Sequence, residues 1–537
     1  MHLHHTSRPS VLALVTIIAG AALSLGGTTL PATADAVPVS PVLPAPVSIP
    51  STVIPGPTGV NDGVDDTADL QAAINAAAAG GGGTVLLSAG QYDLSIPAGT
   101  TGTDRVALTL PSKVRLLGSA DAGTTFRLAA GQGNYYAVMR TPAGSSDVAI
   151  ENFVVDANSA GNPVTTEADL TGQPRLVWIT SGQRVEARGM RFANTLGTQV
   201  LSLYSTDTTI VDNDFVNVGG GSVNFDHSSI YTRGDRTLVS GNVLESLHGP
   251  GTFGVRTAIE IHNSDQTVIN NTVSGFLKGI NATGAGLGSV SYRQLYADNH
   301  LIDVGLGMYL WSTSSAGTAS LHEVEVRDNT ITINADGWRS SGMGSYTVLL
   351  GIGTHPANDS PISELLIQQN TITFTNDTIT RDDVSYLYDS MAAGISLWRN
   401  ETAATAPAPA LSNVTIRDNE IVNPLSAGIW SNTPLLGESQ LSGNIITNPG
   451  RNNRLDKPWT SGVIIYQPDF RSGVYLKTGN QTLAVSGTQV IIDDPTIALH
   501  AGVTAPAACN GTNSASTTTI VGSSAPLHDL NPCWSVL

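Results

Sequence analysis

Short runs with apolar residues at alternate positions recur along this chain, and each is broken by a polar turn. The recurring unit reads apolar-x-apolar-x-x-Asn-x-apolar. It appears as Ile210–Asn213–Phe215, Leu238–Asn242–Leu244, Val268–Asn271–Val273 and Leu295–Asn299–Leu301. It returns as Val324–Asn329–Ile331, Leu365–Asn370–Ile372, Val414–Asn419–Ile421 and Leu441–Asn444–Ile446, with Asn152 read as an earlier member. From Asn213 to Asn329 the asparagines follow at 29, 29, 28 and 30 residues, and then at 41, 49 and 25 as far as Asn444. Alternation with period two is the mark of strands, and a fixed period of a few tens of residues is the mark of a solenoid. With no helical periodicity inside the units, the pattern predicts a parallel β-helix with one coil per repeat and longer loops in the later coils. Asn at a tight turn tolerates a left-handed backbone, and stacked coils would let its amides bond in a ladder, so these residues are read as structural.

The ends of the repeat have their own patterns. Arg8 precedes an apolar run from Val11 to Leu25, and Ala34-Asp35-Ala36 has the small-x-small form of a cleavage site, so residues 1–36 read as an export signal. The expectation is a secreted protein with no membrane attachment once the signal is removed. A Pro-rich linker is expected at 37–58, the β-helical catalytic domain at 59–455, and the last coils with a C-terminal cap at 456–537. Asp66 or Thr67 can cap a helix that places Leu70, Ile74 and Ala77 on one face, and Gly80–Gly83 ends it. A strand from Thr84 to Ser88 follows and leads to Ala89-Gly90-Gln91-Tyr92. The stretch from Gly59 to Tyr92 resembles the N-terminal cap and first strand of the pectate-lyase-like superfamily of secreted carbohydrate-active enzymes. That resemblance implies a right-handed, single-stranded parallel β-helix and a carbohydrate substrate, and it leaves the reaction open.

Composition agrees with an all-β chain of many short strands. Of 537 residues, 41% are hydrophobic and 13% charged, with 56 glycines. Twenty-five Lys and Arg against 43 Asp and Glu give a net charge of −18. Such a surface repels phosphate backbones, which argues against nucleic acid, and weighs mildly against polyanions unless a local basic patch reverses the field. Cys509 and Cys533 are the two cysteines, and in an exported chain a disulfide stapling the C-terminal cap is the expected use. They cannot complete a zinc shell, and no other metal site is expected.

Candidate chemistry comes from a second strand in each coil. In successive coils it reads Leu201–Tyr204, Val223–Asp226, Ile259–His262, Ile280–Thr283, Met308–Trp311, Ile395–Trp398 and Ile429–Asn432. Alternation then points Leu203, Phe225, Ile261, Leu310 and Leu397 inward. One exterior stripe is left with Asp226, Glu260, His227 and His262 as candidate catalytic groups. Tyr204, Asn224, Asn281, Tyr309, Trp311, Trp398, Arg399 and Trp430 are candidate substrate-binding groups. Aromatic faces stack on sugar rings, and two carboxylates on neighbouring strands suit a glycosidase, with Glu260 the general acid raised by desolvation and Asp226 the nucleophile or base. Asp389 and Glu401, in the longest insertion, are reserve acid/base residues. The leading expectation is a glycoside hydrolase or transglycosylase acting on a largely neutral glycan. A polysaccharide lyase or uronate epimerase is the first alternative; it would draw on the histidines, Tyr231 and the nearby Arg233, Arg256 and Lys278, with calcium as a cofactor if a lyase. A non-catalytic glycan-binding surface protein is the second.

Overall fold

The computed structural model describes residues 38–119, 123–133, 135–163, 174–219, 227–246, 255–284, 289–312, 319–340, 349–356, 361–375, 392–398, 411–451, 471–477, 482–509 and 511–537. The segment read as an export signal lies outside them. Each coil contributes one strand to each of three parallel sheets, which hold 17, 14 and 14 strands among the described residues. In the coil around Asn213, Ser205–Val211 belongs to sheet A, Asp214–Val218 to sheet B and Ser228–Arg233 to sheet C. Thr237–Ser240 then starts the next coil beside Ser205–Val211. The predicted parallel β-helix is therefore present.

The asparagines act as expected, with one shift of position. Asn213, Asn242, Asn271, Asn299, Asn329, Asn370, Asn419 and Asn444 are buried at the corner between sheets A and B. Asn213 Oδ1 accepts the Met190 N–H, and from Asn242 onward each Oδ1 accepts the backbone and side-chain N–H of the previous rung, as Asn271 does from Asn242 at 3.0 and 2.9 Å. The left-handed residue is the one before it: Asp212, Asn270, Asp298, Asp328, Gln369 and Asp418 all have φ between 55° and 58°. Asn152 has φ of 60° and falls in that column with Gly189, so it marks the turn and is not a rung of the ladder.

Inside the coil the side chains stack in files. Sheet B sends in Phe192, Phe215, Leu244, Val273 and Leu301, one per coil, all fully buried. On sheet C small residues let the walls approach: a Cβ on Gly351 would lie 2.5 Å from both the Gly394 carbonyl oxygen and Ile372 Cγ2. The helix Thr67–Ala79 covers the N-terminal end and buries Leu70, Ile74 and Ala77 as predicted. Asp66 occupies the N-cap position, but its carboxylate accepts the Asp93 N–H, while Asp65 accepts the Thr67 N–H. At the other end the coils continue through Ala501–Ala505, His528–Leu530 and Ser535–Val536, and the Cys509–Cys533 disulfide ties the last two turns together.

Two expectations change. The segment from 38 to 50 is no free linker, because four of its amides are bound by carboxylates of sheet A. The strand that the coil after Asn213 gives to sheet C is Ser228–Arg233, and Val223–Asp226, the expected strand, lies outside the described residues.

Replacing Asn271 by Ala should lower unfolding free energy by about 2–4 kcal/mol, because the Asn242 amide and the Val239 carbonyl lose their buried partner. His300→Ala, at the exposed first residue of the strand His300–Val304, should stay within about 0.5 kcal/mol. Equal denaturation midpoints for the two variants would contradict the ladder's role.

Candidate functional site

Parallel pairing fixes which side chains share the outer face of sheet C. One row runs Leu201, Tyr231, Glu260, Asn281, Tyr309, Gly353, Ser396, Trp430. The row two residues further along the strands runs Leu203, Arg233, His262, Thr283, Trp311, His355. From Glu260 onward these are the faces predicted by alternation. The first coils differ. Ser202 points inward and hydrogen-bonds Thr208, so Leu203 is on the outside and Tyr204 stands at an exposed turn with φ of 55°. Tyr231 takes the place beside Glu260 that alignment gave to Asp226.

Asp226, Asn224, Asp389, Arg399 and Glu401 lie outside the described residues. Glu260, His262, Asn281, Tyr309 and Trp311 are brought together on one face. His227, just before the strand, has Nδ1 3.0 Å from Thr198 Oγ1, and its ring lies 6.2 Å from that of Tyr231. Trp398 packs on His355 with ring centroids 4.0 Å apart, and Trp311 stacks on the other neighbour side of His355 at 6.2 Å and 6°. Burial holds the His355 pKa down at about 4, so this imidazole is a neutral aromatic plate at neutral pH. Trp430 is only 2% exposed and is packed among Ala393, Ala427 and Tyr475, which removes it from the sugar-stacking set.

The polar centre is Glu260. Its Oε1 is 3.1 Å from His262 Nε2, and Oε2 accepts the Ser228 hydroxyl. Burial opposes its ionisation, yet the His262 hydrogen bond and charge, the Ser228 hydroxyl and the Lys278 charge outweigh it and hold the carboxyl below its ordinary range. The desolvation argument for a general acid was right about burial and wrong about the balance: Glu260 is held as the anion. His262 Nδ1 faces the Thr283 hydroxyl and, at 3.2 Å, the Gly284 carbonyl oxygen. With an anionic acceptor at Nε2, the proton belongs on that nitrogen, and both ring nitrogens are engaged within the protein.

Around this pair stand three groups that alignment placed outside the stripe. Tyr231 has its ring 5.1 Å from His262; burial and the Glu260 charge raise its pKa, against the opposing charge and hydrogen bond of Arg233. Arg233 also lies over the Tyr204 ring at 5.2 Å. Lys278 Nζ is 5.9 Å from the Tyr309 centroid and close enough to Glu260 to stabilise its charge. The signal for these was present: Ser228-Ser229-Ile230-Tyr231, Thr257-Ala258-Ile259-Glu260 and Lys278-Gly279-Ile280-Asn281 share an isoleucine in the third place. Among the described residues no cluster of three or more His, Cys, Asp or Glu could hold a metal ion.

No family model matches the chain. Among curated proteins it is similar to the mannuronan C5-epimerases AlgE2 and AlgE1 of Azotobacter vinelandii, at 38% identity over 103 residues in each case. That match covers 18% of this chain and 10% and 7% of those proteins, so it spans about a tenth or less of their length. Among solved structures, a mutant tailspike protein of E. coli bacteriophage HK620 superposes with a TM-score of 0.56 at 17% identity, covering 86% of this chain and 75% of that one. A second tailspike mutant, in complex with a pentasaccharide, gives 0.50 at 18% identity, covering 86% and 76%. The structural likenesses support the right-handed parallel β-helix fold.

Glu260 stabilises the fold only while ionised. Its folded pKa lies below the ordinary 4.5, so its contribution is present above that pH and fades as pH falls through the folded value. Glu260→Gln should therefore lower the melting temperature at pH 7, and the gap to wild type should close in strongly acidic buffer. A gap independent of pH would refute the ionised pair.

Proposed function

We propose that this protein is an exported enzyme that acts on a uronate-containing polysaccharide by moving the proton at C5. The observation that carries the proposal is the constellation on sheet C: a phenol and two imidazoles with Arg233 and Lys278 standing diagonally across Glu260.

The C5–H of a uronate is made acidic by its own carboxyl group, but only when that carboxylate is neutralised. Arg233 and Lys278 supply positive charge for it on a chain whose overall charge is negative. Tyr231, kept in the phenol form by burial and by Glu260, is suited to donate a proton. His227, whose ring lies 6.2 Å from that of Tyr231, is the partner assigned to accept one. Glu260 and His262 orient the pair and hold its charge. The C5 carbanion equivalent then takes a proton on the opposite face, giving the epimer. The similarity to mannuronan C5-epimerases over 103 residues favours this outcome over expulsion of the group at C4, which would make the protein a lyase. The aromatic plates Trp311, His355 and Trp398 lie further along the same sheet, where an extended glycan would pass.

Glycosidic hydrolysis is the second reading. It draws on Glu260 and on a second carboxylate; in the two outer rows between Leu201 and Trp430, Glu260 is the sole carboxylate among the described residues, and the next in its row is Asp529 near the C-terminal end.

The purified protein would be incubated in D2O with mannuronan, other polyuronates and neutral polysaccharides, with and without calcium. Deuterium should enter C5 of a polyuronate without new reducing ends, and Tyr231→Phe should slow this by about a hundredfold or more. Unsaturated uronate ends would redirect the proposal to a lyase. New reducing ends on a neutral glycan, without unsaturation and lost in Glu260→Gln, would replace it with the hydrolase.

A further inference from the structure

The segment 38–50 reads Pro-Val-Ser-Pro-Val-Leu-Pro-Ala-Pro-Val-Ser-Ile-Pro. Its amides at Val39, Val42, Ala45 and Ser48 donate to Glu325 Oε2, Asp265 Oδ1, Asp207 Oδ1 and Asp147 Oδ1, at 2.7, 3.1, 3.0 and 2.9 Å. The donors are three residues apart, and no proline occupies a donor position. The acceptors belong to Ser145–Glu151, Ser205–Val211, Gln266–Ile269 and Ala319–Arg327 or to the turn just before. Between successive acceptor coils lies one coil without a strap bond, so the acceptors are two coils apart.

The two repeats have the same length. A polyproline-II helix turns once in three residues and rises about 3.1 Å per residue, or about 9.3 Å per turn. Two coils of a β-helix, at about 4.8 Å each, span about 9.6 Å. The skipped coils carry Arg184, Arg236 and Arg293, which clamp Asp147, Asp207 and Asp265 at 2.6, 2.7 and 2.5 Å. The three aspartates and three arginines all have φ between 56° and 59°, so they form one column of left-handed residues with alternating charge. Polyproline II makes no hydrogen bonds of its own, which leaves every amide to be met from outside. Burial and the arginines' own bonds fix the carboxylates, which are no more than 6% exposed, in place to do so.

We propose that this column is a binding site for a polyproline-II segment with a free amide at every third residue, and that its resident ligand is the chain's own 38–50. The site reads register: it accepts a shift of three residues and rejects the shift of one that brings Pro38, Pro41 and Pro44 to donor positions. The bound segment bridges the coils from Ser145–Glu151 to Ala319–Arg327, and those coils include the ones that carry Tyr231, Glu260 and Asn281. It thus ties together from behind the strands that form the candidate site on sheet C.

Residue-resolved amide exchange on the full chain tests this directly. Val39, Val42, Ala45 and Ser48 should exchange about tenfold or more slowly than Ser40, Leu43, Val47 and Ile49. Uniform exchange across the segment would overturn the proposal. Two changes at Leu43 test the register. Deleting Leu43 brings Pro41 and Pro38 to the donor positions three and six residues before Ala45, so protection at Val39 and Val42 should be lost and the melting temperature should fall. A Pro-Val-Ser triplet inserted after Leu43 should give protection at the inserted valine and at Val42, with a melting temperature near wild type. Equal behaviour of the deletion and the triplet insertion would show that the column does not read a three-residue period.

Discussion

Coil-to-coil register is the constraint on which everything else in this molecule rests. Parallel strands in adjacent coils must meet residue against residue at about 4.8 Å, so every position along a coil becomes a column running the length of the solenoid. A column of Asn is an amide ladder, a column of Phe, Leu and Val is core, and a column of left-handed residues is a corner. The candidate site is the same thing on the outer face: Tyr231, Glu260 and Asn281 are neighbours because they occupy one column, although about thirty residues separate the first two along the chain. Function here is written across the coils, and its spacing is fixed by backbone hydrogen bonds that no functional side chain makes.

This explains what could be read in advance. The Asn ladder and the helix face of Leu70, Ile74 and Ala77 are local or strictly periodic signals, and both were legible. The faces of sheet C from Glu260 onward were legible because alternation within each strand marks inside and outside, whatever its distance from the asparagine. The coil containing Tyr231 was misread because Val223–Asp226 alternates apolar and polar residues as a strand does, and alternation alone does not choose between it and Ser228–Arg233; the count would have, since Tyr231 follows Asn213 by 18 residues as Glu260 follows Asn242. At Leu203 the error was one residue, enough to exchange inside for outside. The sign of the Glu260 shift was not legible at all. Desolvation can be guessed from two flanking isoleucines, but the opposing bonds come from Ser228 and His262 on two different strands and the charge from Lys278 on a third.

The Pro-rich segment shows the same limit from another side. Prolines at positions 38, 41 and 44 suggested a linker, since they forbid strand pairing. What composition hides is that the same period of three matches two coils, so a segment unable to join a sheet can still be bound along one. The match needs acceptors on alternate coils, and those are Asp147, Asp207 and Asp265, whose spacing means nothing until the coils are stacked.

Net charge was the least transferable inference. A surplus of acidic residues argued mildly against an acidic substrate. Yet much of that acidity has a structural use far from sheet C: Asp147, Asp207 and Asp265 are buried, paired with Arg184, Arg236 and Arg293, and bonded to backbone amides. A carboxylate matched by a bidentate guanidinium contributes little field at a distance. The potential a substrate meets is set by what lies within a Debye length of it, and on the described part of the site that includes Arg233, Lys278, the Glu260–His262 pair and Arg256, whose carbonyl accepts the Lys278 N–H. One ionised carboxylate against these cations leaves the local balance positive. The overall charge therefore places no obstacle before a polyuronate, and it is the column, not the composition, that has to be counted.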